Sequence, residues 1–277
     1  MDFFRECCGN PMLMNMIWAA LLASAACGIT GALVVARRST YIAGAVSHSV
    51  LAGIGFARYA SAVWGWTWLS PSSGALAAAV ISALAVVATS SGAKQRTDTV
   101  LSAIWASGMA LGLAFMSATP GYQSDLMAYL FGSISLVSSG DLLRMAVLDM
   151  IIIISLAFGY RGLLAICFNR ELAKQRGVLV GLHEAVFAVV VAVSVVILAR
   201  IVGVVLVIAL LALPAAAAGM FTRRLIPMMA LGSAICAAVT IGGLAVSYTP
   251  EWAPGATIAL AAAGVYAAAA VICRRKR

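Results

Sequence analysis

Two acid–base side chains fall inside long apolar stretches of this 277-residue sequence. The first is His48, in Tyr41-Ile-Ala-Gly-Ala-Val-Ser-His48-Ser-Val-Leu-Ala-Gly53. If that stretch crosses a bilayer as a helix, eight residues at about 1.5 Å each put the imidazole roughly 12 Å deep. Neutral imidazole is a metal ligand or a proton carrier, and burying it idle in hydrocarbon is costly, so function is the default reading. The structural alternative is a histidine bonded to a carbonyl of a neighbouring helix. The second side chain is Asp149. Arg144, about 140° away around a helix, sits on another face, so a partner or a cation must come from elsewhere. A carboxylate hydrated at a bent helix end is the alternative there. Asp125, Asp141 and Glu251 fall in connecting segments and read as solvated.

Around His48 the small residues Ala45, Ser49, Gly53 and Ala57 recur every four positions, a stripe that lets another helix approach closely, with Gly44, His48 and Ala52 on the adjacent row. Farther along, Cys167-Phe-Asn-Arg170-Glu171-Leu-Ala-Lys174-Gln-Arg176-Gly177 reads as a short polar helix stopped by glycine between two apolar spans. It suits docking of a soluble partner, or serves as an ordinary amphipathic connector. His183 follows as a wet interfacial residue. The six cysteines form no C-x-x-C pair, so neither a zinc knuckle nor a disulfide framework is suggested.

The elements that hold these residues follow from composition. At 64% hydrophobic and 10% charged residues, the chain is an integral membrane protein. Strand-like alternation is absent, which excludes a β-barrel. The fold class is therefore all-α, a polytopic bundle in which residues 1–277 form one transmembrane domain with residues 165–177 as a segment within it. Spans are expected at Met12–Ala36, Thr40–Ala57, Gly74–Ser91, Thr99–Ala118, Leu142–Tyr160, Gly181–Ala199, Ile201–Met220, Pro227–Val246 and Gly255–Cys273. That makes nine crossings, or eight if the pair meeting at Arg200 is broken or re-entrant, since no turn residue separates them and Pro214 interrupts the second.

Orientation follows from the basic residues, which accumulate on the cytoplasmic side. With the N-terminus outside and the C-terminus inside, Arg37, Arg38, Lys94, Arg96, Arg161, Arg170, Lys174, Arg176, Arg223, Arg224 and the tail Arg274–Arg277 all fall inside, 14 of 18. Trp64, Trp66 and Trp68 then cluster at the outer interface. Subtracting the spans leaves no polar segment longer than about 25 residues, too short for a soluble catalytic domain. None of Lys94, Lys174 and Lys276 lies in a phosphate loop, so any nucleotide hydrolysis belongs to another subunit. The +9 charge needs no nucleic acid to explain it, since it gathers on the inner side of a chain whose partners are membrane lipids.

Four blocks in order resemble the permease subunits of ABC-type importers for zinc, manganese and iron. They are Arg37-Arg38 through Gly44-Ala-Val-Ser-His48-Ser-Val-Leu-Ala-Gly53; Asp98-Thr-Val; Ser124-Asp-Leu-Met-Ala-Tyr-Leu-Phe-Gly-Ser133; and Phe168-Asn-Arg-Glu-Leu-Ala173 leading into Val202-Gly-Val-Val-Leu-Val-Ile-Ala-Leu-Leu-Ala-Leu-Pro214-Ala-Ala. The resemblance implies a dimeric pore in the bacterial cytoplasmic membrane, formed with a second copy or a paralogue. It also implies a cytoplasmic ATPase subunit, an extracytoplasmic metal-binding protein, and zinc, manganese or iron as cargo with no permanent cofactor. It implies that Phe168, Asn169, Arg170, Glu171, Lys174 and Arg176 belong to the segment coupled to the ATPase, and that His48 lies on the metal pathway. Members often carry an acid four residues before that histidine, where this chain has Gly44, a proline at Ala52, and an acid at Asn169. Asp149 or a second chain is then left to supply the missing carboxylate. Beside the permease reading stand a proton-coupled secondary transporter using His48 and Asp149, and a membrane anchor that transports nothing.

Overall fold

The computed structural model describes residues 11–91, 97–120, 130, 132, 137–248 and 252–275, and among these residues the fold is wholly helical. In chain order the helices are α1 (Pro11–Ala36), α2 (Thr40–Trp64), α3 (Pro71–Ser91), α4 (Thr97–Ser117), α5 (Ser139–Phe168), α6 (Arg170–Gln175), α7 (Val180–Val202), α8 (Val207–Phe221), α9 (Leu225–Tyr248) and α10 (Pro254–Arg275). All but α6 and α8 are long and apolar enough to cross a membrane, eight in total. The chain divides into two compact units, one of Met1–Arg38, Leu130–Ile151 and Ile197–Arg277, the other of Ser39–Tyr129 and Ile152–Val196.

Within the first unit, α1 packs on α8 and α9, and both of these pack on α10. Gly28 of α1 is pressed against Ser233 of α9, where a Cβ would overlap the serine. Beside it, Cys27 answers a defect in α8. Pro214 has no N–H, so the carbonyl of Leu210 loses its helical donor. The buried Cys27 thiol donates to that carbonyl at 2.8 Å. In hydrocarbon an unmet carbonyl is expensive, so the thiol pins α1 to the proline turn.

The expected boundary at Arg200 is corrected. Helix α7 runs through it to Val202, and the break comes at Gly203–Leu206, where Gly203 takes φ +83°, a left-handed conformation that favours glycine. Backbone bonds are kept through the break: Gly203 N–H donates to Ala199 O at 3.1 Å and Val205 N–H to Leu130 O at 3.3 Å. Gly132, itself at φ +80°, abuts the backbone of residues 201–203, with no room for a Cβ. Ile201, Val202, Val204 and Val207, at and beside the break, are fully buried, while Val205 is 38% exposed. The 15-residue α8 then covers only about 22 Å.

Helix α2 is the axis of the second unit, with α3 and α4 packed on it. The small-residue stripe is used twice. Gly53 and Ala57 receive Gly74 of α3, with a Cβ on Gly53 colliding with the Gly74 carbonyl, while Gly108 of α4 sits so close to Ser49 that a Cβ on it would come within 2.9 to 3.0 Å of the serine backbone. Helix α2 outruns its expected end at Ala57 and stops at Gly65, whose N–H bonds to Ala60 O in a left-handed cap. Beyond it the exposed Trp64, Trp66 and Trp68 form a ring ladder with centroid spacings of 5.2 and 5.6 Å. Helix α5 likewise starts earlier and ends later than expected. Ser138 and Asp141 close a capping box at its start, Ser138 Oγ to Asp141 Oδ2 being 3.0 Å, so Asp141 is a cap and not merely a solvated loop residue.

Candidate functional site

His48 lies in the middle of α2 at 7% exposure. Its ring is stacked on the indole of Trp105 from α4, with centroids 4.6 Å apart and planes at 23°. The close seating of Gly108 on Ser49, one turn from Trp105, brings the indole within reach. Neighbouring hydroxyls do not compete for a ligand: Ser47 donates to Gly44 O at 2.8 Å and Ser49 to Ala45 O at 3.0 Å, both within their own helix. Among the described residues the ring contact of the imidazole is with Trp105, and no hydrogen bond to a carbonyl of another helix is found. Stacking occupies the ring's face and leaves the lone pair, which lies in the ring plane, for a metal ion. Trp105 was not singled out by spacing; a tryptophan far from a helix end, against its interfacial preference, is the signal that marks it.

Asp149 sits in α5 at 6% exposure, and neither carboxylate oxygen has a hydrogen-bond partner among the described residues. Arg144 turns away as its helical position requires, reaching Asp141 at 3.6 Å. His48 belongs to one compact unit and Asp149 to the other, and within its own unit His48 meets Trp105. No cluster of three or more metal-ligating side chains occurs among the described residues.

The polar connector is as short as its sequence suggests, with one shift of boundary. Phe168 is the last residue of α5, and α6 is the six-residue helix Arg170–Gln175. Asn169 caps it, its side-chain oxygen accepting from Leu172 N–H at 3.0 Å, which an aspartate would also do. At the other end Gly177 takes φ +76°, with Val178 N–H donating to Ala173 O and Gly177 N–H to Lys174 O, each at 3.1 Å. Ala173 faces inward, while Arg170, Glu171, Lys174 and Arg176 are exposed. So are the large apolar Phe168, Leu172 and Leu179. His183 is half-buried, not fully wet, its Nδ1 2.9 Å from Leu179 O. Cys7, Cys8, Lys94, Arg96, Asp125 and Glu251, and most of the block 124–133, lie outside the described residues.

A match to the ABC 3 transport family covers residues 10–273. An uncharacterized membrane protein of Synechocystis sp. is 38% identical over 92% of this chain and 88% of its own. The manganese transport system membrane protein MntC of Halalkalibacterium halodurans is 28% identical over 96% of this chain and 89% of its own. Among solved structures, PsaBC from Streptococcus pneumoniae in complex with Fab superimposes with a TM-score of 0.85 at 25% identity, over 97% of this chain and 94% of that one.

Proposed function

Because this chain belongs to the ABC 3 transport family, a family of multi-pass membrane transport subunits rather than enzymes, we propose that it is the permease of a divalent-metal importer. The cargo is manganese, zinc or iron, with manganese the first to test because MntC carries that name. An ABC-type ATPase bound below supplies the energy, an extracytoplasmic protein delivers the ion, and a second permease copy or paralogue completes the pore. His48 is a transient ligand on the pathway. The observation that carries this is a buried imidazole within a membrane-length helix, stacked on an indole face. One histidine with few hard ligands suits an ion that must be released, whereas a closed four-ligand cage would trap it.

The topology follows the same reading, in the bacterial cytoplasmic membrane with the N-terminus outside. If α8 did not complete a crossing, Arg223, Arg224 and the tail Arg274–Arg277 would all fall on the outer side, opposite Arg170, Lys174 and Arg176 and against the positive-inside bias. The irregular segment Gly203–Leu206 ahead of α8 lends it the reach it lacks in length. Residues 165–177 receive the ATPase, since the connector displays bare apolar side chains beside Arg170, Lys174 and Arg176. A proton-coupled route through His48 and Asp149 is the second reading, favoured by the buried carboxylate oxygens of Asp149. Manganese uptake by proteoliposomes holding the assembled complex tests both. His48→Gln should abolish uptake while assembly persists; normal uptake by that variant refutes the site. Uptake driven by a proton gradient without ATP would favour the second reading.

A further inference from the structure

The connector is tied to the helix that follows it by a charge pair that spacing alone does not announce. Arg170, the first residue of α6, places its guanidinium 3.2 Å from the carboxylate of Glu184 in the second turn of α7. The Glu184 side chain is 2% exposed and that of Arg170 is 45% exposed. A buried carboxylate is costly unless a cation answers it, and here the cation reaches in from the solvent side. Next to Glu184, the His183 ring lies against Gly162 of α5, where a Cβ would overlap it. Helices α5, α6 and α7 therefore meet in a knuckle, with a ring seated in a glycine notch on one side and a charge pair on the other. The turn between α6 and α7, with Gly177 at φ +76°, is the soft part of this joint.

We propose that Glu184 is a positioning residue for energy coupling: by holding Arg170 it makes α6 and α7 move as one lever. A push received on the connector then reaches α7 instead of being absorbed in the turn at Gly177. This rests on the reading that residues 165–177 receive the ATPase. The test uses the complex purified through a tag on this chain and reconstituted in proteoliposomes, measuring ATP hydrolysed per manganese ion imported. A photo-cross-linking amino acid at position 172, an exposed site on α6, reports ATPase contact separately. Glu184→Gln and Arg170→Gln should each raise the ratio about fivefold, a typical coupling change. The double variant should be no worse than either single one, as for two residues acting as a unit, and Arg170→Lys should restore most of the coupling. Cross-linking should persist throughout. If Glu184→Gln fails to assemble, the exposed Arg170→Gln carries the same comparison. A wild-type ratio in these variants with cross-linking intact overturns the lever and leaves docking standing. Absence of cross-linking in the otherwise unaltered chain overturns docking and the lever with it.

Discussion

Replacing Cys27 by alanine should destabilise the protein, and Pro214 should decide by how much. In the native chain the Leu210 carbonyl has lost its helical donor to the proline and has the Cys27 thiol in its place at 2.8 Å. Cys27→Ala removes that donor at a fully buried position. Stranding a buried acceptor costs about 1–3 kcal/mol, and interhelical bonds within membranes average nearer 0.6 kcal/mol, so we expect about 1 kcal/mol from the bond. The cavity left by the sulfur adds about as much again. Cys27→Ser keeps a donor and should recover most of the bond term. The decisive background is Pro214→Ala, which returns an N–H to the carbonyl. There Cys27→Ala should cost only the cavity, giving a coupling of about 1 kcal/mol between two residues on different helices. Unfolding in mixed micelles, followed by circular dichroism against denaturing detergent, measures all four corners of the cycle. Equal cost of Cys27→Ala in both backgrounds would falsify the account of the orphaned carbonyl.

Three other outcomes are expected. Trp105→Ala should weaken apparent manganese affinity in uptake about two- to tenfold, the worth of one stacked ring, while Trp105→Phe stays near wild type; equal loss in both would show that stacking is not what the indole contributes. Gly53→Leu should cost about 3 kcal/mol or more, because its side chain must displace the Gly74 carbonyl, and folded yield by size-exclusion chromatography should collapse, whereas a normal yield would contradict the close α2–α3 approach. In intact cells an impermeant thiol reagent should label Cys7 or Cys8 and miss Cys273, and the reverse pattern would invert the proposed topology.

The long helices were legible because membrane hydropathy is a one-dimensional signal. Their ends were less so. Helix α2 continues past Arg58, and α5 past Arg161 to Phe168, because hydropathy falls at a charge while backbone hydrogen bonding does not. At Arg200 the apolar run correctly lacked a stop, but the real stop at Gly203 depends on Gly132 and Leu130, which meet it only in the folded chain. His48 stood out as an imidazole in a membrane-length span, and its stripe of small neighbours foretold close packing. Trp105 and Glu184 did not, since a stacked face and a charge pair are properties of two helices. Cys27 gave no sign of its role because the carbonyl it serves is 183 residues away.

The break between α7 and α8 also bears on how the chain enters the bilayer. At 15 residues α8 is too short to partition stably as a separate segment, and its leading turn is already inside protein. It therefore depends on the apolar run of α7 that precedes it in the chain to reach the bilayer. In the break between them, Val205 N–H is met by Leu130 O, which leaves the ribosome earlier. Biosynthetic order thus puts the acceptor in place before the donor arrives. A translation pause or an insertion between residues 132 and 203 would delay their meeting and leave an unpaired amide facing hydrocarbon, the kind of defect that membrane quality control recognises.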